Sequence, residues 1–150
     1  MTWLADEKLM LSAVALFWLD ARLRPHKQEI RLEADRMLAS VALAGLLPDI
    51  FKYLFDRKRP DRRLVHGRRR GIPRSGDPWD SFPSGHALHI GAIAGPLLRL
   101  MPARPRPLIR LGLLGLACTR VMLLAHYVTD VVAGLVIGAA LGKMVRRLSK

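Results

Sequence analysis

The stretch from 83 to 100, Pro83-Ser84-Gly85-His86-Ala87-Leu88-His89-Ile90-Gly91-Ala92-Ile93-Ala94-Gly95-Pro96-Leu97-Leu98-Arg99-Leu100, decides how the chain is read. A polar tetrad opens an apolar run, and the run predicts a helix from Ser84 to Leu100. At about 1.5 Å per residue that helix reaches roughly 25 Å, enough to cross most of a bilayer core. A Ser-Gly step at a helix start exposes first-turn amides to the positive end of the helix dipole, which suits an anion. Glycine at the second position lets that anion approach the backbone.

Working outward, Leu108 to Ala125 and Val131 to Val145 are two further apolar spans, with Tyr127 at the interface between them. Met101 to Pro107 holds three prolines and two arginines and reads as a tight exposed turn. On the other side, Arg57 to Asp80 is a loop rich in Arg, Gly and Pro. Met37 to Phe55 is another span, interrupted by Pro48-Asp49 and Lys52. Asp20 to Arg36 is strongly charged and belongs in water or at headgroups. Leu9 to Leu19 is short, flanked by Trp3 and Trp18, and reads as a span or a steep interfacial helix. The expected fold class is therefore all-α: an integral membrane helical bundle of about five helices, four of them spans. One domain is expected over 1–150, with its core at 37–145 and an N-terminal helix and charged linker at 1–36. Gly91 and Gly95 are four apart, as are Gly134, Gly138 and Gly142, a spacing that lets membrane helices approach closely.

Composition agrees. The chain is 51% hydrophobic yet carries 25 Lys and Arg against 12 Asp and Glu. Aromatics are only 6% and no nucleic-acid-binding signature appears, so a nucleic-acid partner is not expected. The cations lie between apolar runs, as in membrane proteins. Arg62, Arg63 and Arg68 to Arg70 suit anionic lipid headgroups. His26, His66 and His89 read as surface or packing histidines, although His89 lies one turn after His86. Cys118, in an apolar stretch, reads as a reduced core thiol. Asp6 and Glu7 before the first apolar run argue against a cleavable signal peptide.

Three polar clusters sit at the edges of these segments: Lys52 with Arg59-Pro60, Pro83 to His86, and Arg120 with His126 and Asp130. If the four later segments span, all three clusters meet on one side of the membrane. Charges there are costly and usually functional. Lys52, Arg59 and Arg120 supply charge for phosphate oxygens, and arginine does so with a fork that fits two of them. The Ser84 hydroxyl and Gly85 amide add donors. Asp130, four residues after His126, is expected to hold one ring nitrogen and leave the other facing phosphorus. His86 is free to protonate a leaving oxygen. These pieces suggest attack by His126, a phosphohistidine, and its hydrolysis with His86 as base. Nearby acidic residues form no paired carboxylate motif, so no metal or other cofactor is expected.

In this order, K-x6-R-P, P-S-G-H and R-x5-H-x3-D resemble the signature of the type 2 phosphatidic acid phosphatase family, whose superfamily also contains vanadium haloperoxidases. The resemblance covers Lys52 to Asp130, about half the chain, and the flanking Tyr53-Leu54-Phe55 and Ser81-Phe82 share it. It implies a nucleophile at His126, its orienting partner at Asp130 and a general acid at His86. It implies phosphate binders at Lys52, Arg59, Ser84, Gly85 and Arg120. Thr119 stands where the family usually has serine, and the chain offers fewer spans than the family's common six. The expected activity is metal-independent hydrolysis of a lipid phosphomonoester or diphosphate, with the lipid tail left in the bilayer. Alternatives are a non-catalytic phospholipid-binding or transport protein that keeps the anion site, and a vanadate-dependent haloperoxidase. Taken singly the residues admit other readings: Lys52 fits an ion pair with Asp49 or Asp56 equally well. Without the three site cations, nine Lys and Arg fall on the site face against thirteen opposite, which favours an outward, periplasmic site in a bacterial inner membrane.

Overall fold

The computed structural model describes residues 7–25, 27–61 and 79–149, with the backbone alone described at Glu7, Asp49, Lys52 and Tyr53. Trp3, His26, His66 and the arginine-rich stretch 62–78 lie outside the described residues. The long helices among the described residues are α1 (Glu7–Leu23), α2 (Gln28–Leu54), α3 (Gly85–Leu100), α4 (Arg106–Met122) and α5 (Val128–Leu148). Among these residues no β-strands pair beyond an isolated bridge between Arg57 and Asp80. The all-α expectation therefore describes what is seen.

The centre of the bundle is the contact between α3 and α5. A methyl group built on Gly134 would stand 2.6 Å from the Ser84 carbonyl oxygen, and one on Gly142 2.7 Å from that of Ala92. Between them, a methyl on Gly138 would collide with the Leu88 carbonyl, and one on Gly91 with that of Leu135. Numbers rise together along both helices, so α3 and α5 run parallel and their N-termini point to the same end. Only glycine permits backbones this close. Gly95 differs from its expected role: it is exposed and faces Arg99 of its own helix.

α2 runs antiparallel to α3 and is packed through Ala44 on Leu88 and Ala92, and α1 folds back on α2 around Val14, Met37 and Val41. α4 leans on α3 through Ala117, against Ala87 and Ile90. Burying these apolar side chains contributes the non-directional part of the stability.

Several expectations change at this point. The charged segment 20–36 is not a solvated linker, because α2 already begins at Gln28. Glu33 and Arg36 are buried at the end of the bundle remote from the helix N-termini of α3 and α5. Glu33 accepts from Arg36 Nη1 at 2.6 Å and from Arg99 Nε at 3.0 Å, while Arg36 Nε reaches Ser149 Oγ at 2.9 Å. This network ties α2, α3 and the last residues after α5. Its sequence signal was hidden because a buried carboxylate and its arginines look, in a string, like a solvated charge run. Replacing Glu33 with alanine strands two guanidinium groups. We expect a loss of about 2 kcal/mol, below the roughly 3–5 of a fully buried pair because Arg99 is partly exposed. Thermal unfolding in detergent measures it. Trp18, at the far end of the first apolar run, donates its indole N–H to Asp35 at 2.8 Å, alongside Arg22. Cys118 is exposed, not a core thiol, because α4 turns most of its length outward.

Among the described residues α5 alone is long and apolar enough to cross a membrane by length and composition, against the four spans expected. α1, α3 and α4 have 17, 16 and 17 residues. At about 1.5 Å per residue they fall short of a hydrocarbon core of about 30 Å. α2 has 27 residues, but five charged side chains between Glu29 and Arg36 occupy its first third.

Candidate active site

The parallel arrangement of α3 and α5 sets two helix N-termini side by side, and both polar loops grow from that end. Ser84 caps α3: its hydroxyl accepts from the Ala87 amide at 3.5 Å, and its own amide donates to the Asp130 carbonyl at 3.1 Å. The Gly85 and His86 amides belong to the first turn, which a helix leaves without internal acceptors. Asp130 is the third residue of α5, and its carboxylate accepts from the Tyr127 amide at 3.0 Å. Anionic side chains are favoured there by the helix dipole.

His126 sits in the turn between α4 and α5. Leu124 takes a left-handed conformation, φ 53°, and the amides of Ala125 and His126 both donate to the Arg120 carbonyl, at 3.1 and 3.3 Å. A non-glycine residue in this region is sparsely populated and held by its surroundings. Here Asp61 holds the turn through its amide, which donates to the Leu124 carbonyl at 2.9 Å. The backbone of Arg120 thus positions His126 while its side chain reaches elsewhere. Arg120 Nη2 lies 2.8 and 3.0 Å from the two ring nitrogens of His86. Arg59 Nη1 lies 3.3 Å from His126 Nε2 and donates to the Ala125 carbonyl at 3.1 Å.

The structure therefore brings Arg59, Ser84, Gly85, His86, Arg120, His126 and Asp130 to one end of the bundle. Lys52 has its backbone in the last turn of α2, and its side chain lies outside the described residues. Phe51, Phe55 and Phe82 pack together, with ring centroids 5.4 to 6.4 Å apart, and lock the segment before Ser84 against the end of α2. His89 is buried one turn below His86, where its Nδ1 donates to the Gly85 carbonyl at 2.8 Å. Its other ring edge faces Gly45 of α2, so it serves packing. Among the described residues no group of three or more His, Cys, Asp or Glu side chains is placed to share a metal ion.

The expected contact between Asp130 and the His126 ring is replaced by another. His126 Nδ1 donates to the Ser81 carbonyl at 2.7 Å. His126 lies before the start of α5, so the two residues are not one helical turn apart on a common face. Asp130 instead accepts from the Ser81 hydroxyl at 2.5 Å and forms an ion pair with Arg57. Burial lowers the His126 pKa from its usual 6.5 to about 4, and Arg59 pushes the same way. The Ser81 carbonyl and Asp130 oppose the shift, and Arg120 adds to it. The ring is neutral near pH 7, with Nδ1 protonated and the Nε2 lone pair facing Arg59. Sequence reasoning gave Arg57 and Ser81 no role in the site. For Ser81 the signal was its place beside the P-S-G-H motif in the family resemblance; for Arg57 it was chemical, since a buried carboxylate requires a cation and Arg57 lies two residues from Arg59.

Residues 34–150 match the PAP2 superfamily. The chain is 40% identical over 101 residues to a lipid A 1-phosphatase of Rhizobium johnstonii, covering 67% of this chain and 41% of that protein. A lipid A 1-phosphatase of Rhizobium etli is 38% identical over 103 residues, covering 68% and 44%. The chain thus spans less than half the length of these relatives. The crystal structure of Aquifex aeolicus LpxE superposes with a TM-score of 0.73 at 18% identity, covering 97% of this chain and 81% of that one, which establishes a shared fold.

Proposed function

The chain belongs to the PAP2 superfamily, and from that premise we propose that it is a membrane-embedded phosphatase acting on a lipid phosphomonoester or diphosphate. The observation that carries this is the meeting of Arg59 with His126, and of Arg120 with His86, beside two helix N-termini. In this reading the phosphate lies among the Arg59 and Arg120 guanidiniums, the first-turn amides of α3, the Ser84 hydroxyl and Lys52. His126 Nε2 attacks phosphorus in line: the N–P bond forms as the P–O bond to the lipid breaks, and His86, whose ring faces Arg120, takes up a proton as the anionic phosphate binds beside it and gives that proton to the leaving oxygen. Water then attacks the phosphohistidine, with His86 taking its proton, and inorganic phosphate leaves. Charge on the three equatorial oxygens is met by fixed cations and amides, where phosphoryl transfer needs stabilisation. Such a site requires no metal ion.

A lipid substrate is favoured by the outer surface, where Leu16, Leu46, Ile50, Leu108, Leu111 and Val136 are exposed around the bundle. Exposed apolar area on that scale marks a membrane or partner surface. The rhizobial relatives make a lipid A 1-phosphate the first substrate to try. The cation balance favours a site facing the periplasm of a bacterial inner membrane. The test is phosphate release by the purified protein in detergent, with excess chelator, from lipid A, phosphatidic acid, phosphatidylglycerol phosphate and an isoprenyl diphosphate. We expect release from at least one lipid, undiminished by chelator. Dependence on added divalent ions, or no release from any of them, would refute the proposal.

A further inference from the structure

Ser81 is fully buried and bonded in three directions. Its amide donates to the Arg57 carbonyl at 3.1 Å, its hydroxyl to Asp130 Oδ2 at 2.5 Å, and its carbonyl accepts from His126 Nδ1 at 2.7 Å. Asp130 is likewise wholly inaccessible, and Arg57 supplies its counter-charge. Arg57 is itself held by Thr129 Oγ1 at 2.8 Å and lies over the Tyr127 ring, 4.4 Å from its centroid. Resting on the nucleophilic role given above to His126, we propose that Arg57 and Ser81 are positioning residues of the reaction, through which Asp130 fixes the orientation and tautomer of His126.

The chemistry follows from the wiring. Neutral imidazole has one N–H and one lone pair, and a carbonyl oxygen accepts only from the N–H. Ser81 therefore forces protonation at Nδ1 and leaves the lone pair on Nε2, the atom next to Arg59. As the N–P bond forms, the ring becomes cationic and its Nδ1–H bond to Ser81 strengthens. No proton leaves His126, and none reaches Asp130. The carboxylate works at one remove: it holds the Ser81 hydroxyl, and so the carbonyl of the same residue. Arg57 pairs with that carboxylate and holds it in place. Outer groups of this kind orient a reactive imidazole, and their loss typically costs about 10–100-fold in activity.

The experiment is a double-mutant cycle on lipid phosphate hydrolysis, with trapping of acid-labile, alkali-stable phosphoenzyme. Ser81→Ala, Arg57→Gln and Asp130→Asn are combined pairwise, with Arg57→Lys and His126→Ala as references. Each single change is expected to lower kcat about 10–100-fold and leave KM within about threefold. Because the groups act in series, the Ser81→Ala/Asp130→Asn and Arg57→Gln/Asp130→Asn doubles should fall within about threefold of Asp130→Asn alone. Arg57→Lys should recover at least about tenfold over Arg57→Gln, with faster phosphoenzyme formation. The Arg57 side chain is partly exposed, so its cycle remains readable should the buried Ser81 variant fail to fold. Losses that multiply, or that reside in KM, would overturn the series arrangement. Turnover persisting in His126→Ala would instead sink the nucleophile assignment, which makes the two failures distinguishable.

Discussion

Gly138→Ala is expected to abolish the native packing of the bundle, and to remove activity with it. The added methyl would collide with the Leu88 carbonyl oxygen and stand 2.9 Å from the Ala92 amide nitrogen. Both are backbone atoms in the middle of α3, so no side-chain rotation relieves the clash. α3 and α5 would have to separate along their whole contact. Forcing one extra carbon into a packed core costs about 1–3 kcal/mol where side chains yield, and more where they cannot. We expect a loss above about 3 kcal/mol, a large part of the margin of a small domain. Gly112→Ala and Gly115→Ala on α4 are the comparison, because a methyl at either place meets nothing within 4 Å. They should be neutral or stabilising by up to about 1 kcal/mol through helix propensity. Thermal unfolding in one detergent reads all three. A Gly138→Ala variant melting with the wild type would disprove the close parallel contact between α3 and α5. The catalytic consequence is direct, since the same contact sets the Ser84 cap against the Asp130 carbonyl.

The contrast between these glycines shows what the chain disclosed and what it withheld. Four-residue spacing pointed to Gly134, Gly138 and Gly142, and all three lie against α3. The same spacing pointed to Gly95, which faces outward, because spacing fixes a helix face but not what that face meets. The residues of the candidate site were legible as a group because the proposed chemistry would need specific side chains at fixed short offsets, such as His126 six residues after Arg120. The wiring that holds them was not. Ser81, Arg57 and Asp130 come from three separate stretches, and a bond to a backbone carbonyl leaves no mark on side-chain identity. Helix boundaries failed for a related reason: hydropathy ends a segment where charge begins, yet α2 carries Glu33 and Arg36 inside the bundle because Arg99 and Ser149 meet them there. Apolar length likewise overstated the spans, since Leu108 to Ala125 gives a helix ending at Met122 so that the remaining residues can turn His126 into the site.

His126→Ala is expected to lower kcat by at least about 10³-fold while leaving substrate binding nearly intact. Arg59 and Arg120 remain to hold the phosphate, so KM should stay within a few-fold. No acid-labile phosphoenzyme should form, because among the described residues His126 is the imidazole that lies beside Arg59. The pH dependence sharpens the test. A nucleophilic imidazole must be neutral, and burial with Arg59 nearby lowers this one from 6.5 to about 4. Wild-type kcat/KM should therefore lose no rate to His126 between pH 5 and 8, and should fall as pH drops through about 4. An ordinary histidine would bring that fall at about 6.5. Stability follows the same linkage. The unfolded chain binds its proton near pH 6.5 and the folded chain only near 4, so this contribution is complete above 6.5 and is lost as pH falls from 6.5 toward 4. In His126→Ala that part of the acid destabilisation should vanish, whatever the activity does. Undiminished turnover in the variant would end the covalent mechanism. A wild-type inflection at 6.5 that disappears with the ring would keep the nucleophile but place it in water, in conflict with the buried turn held by Leu124 and Arg120.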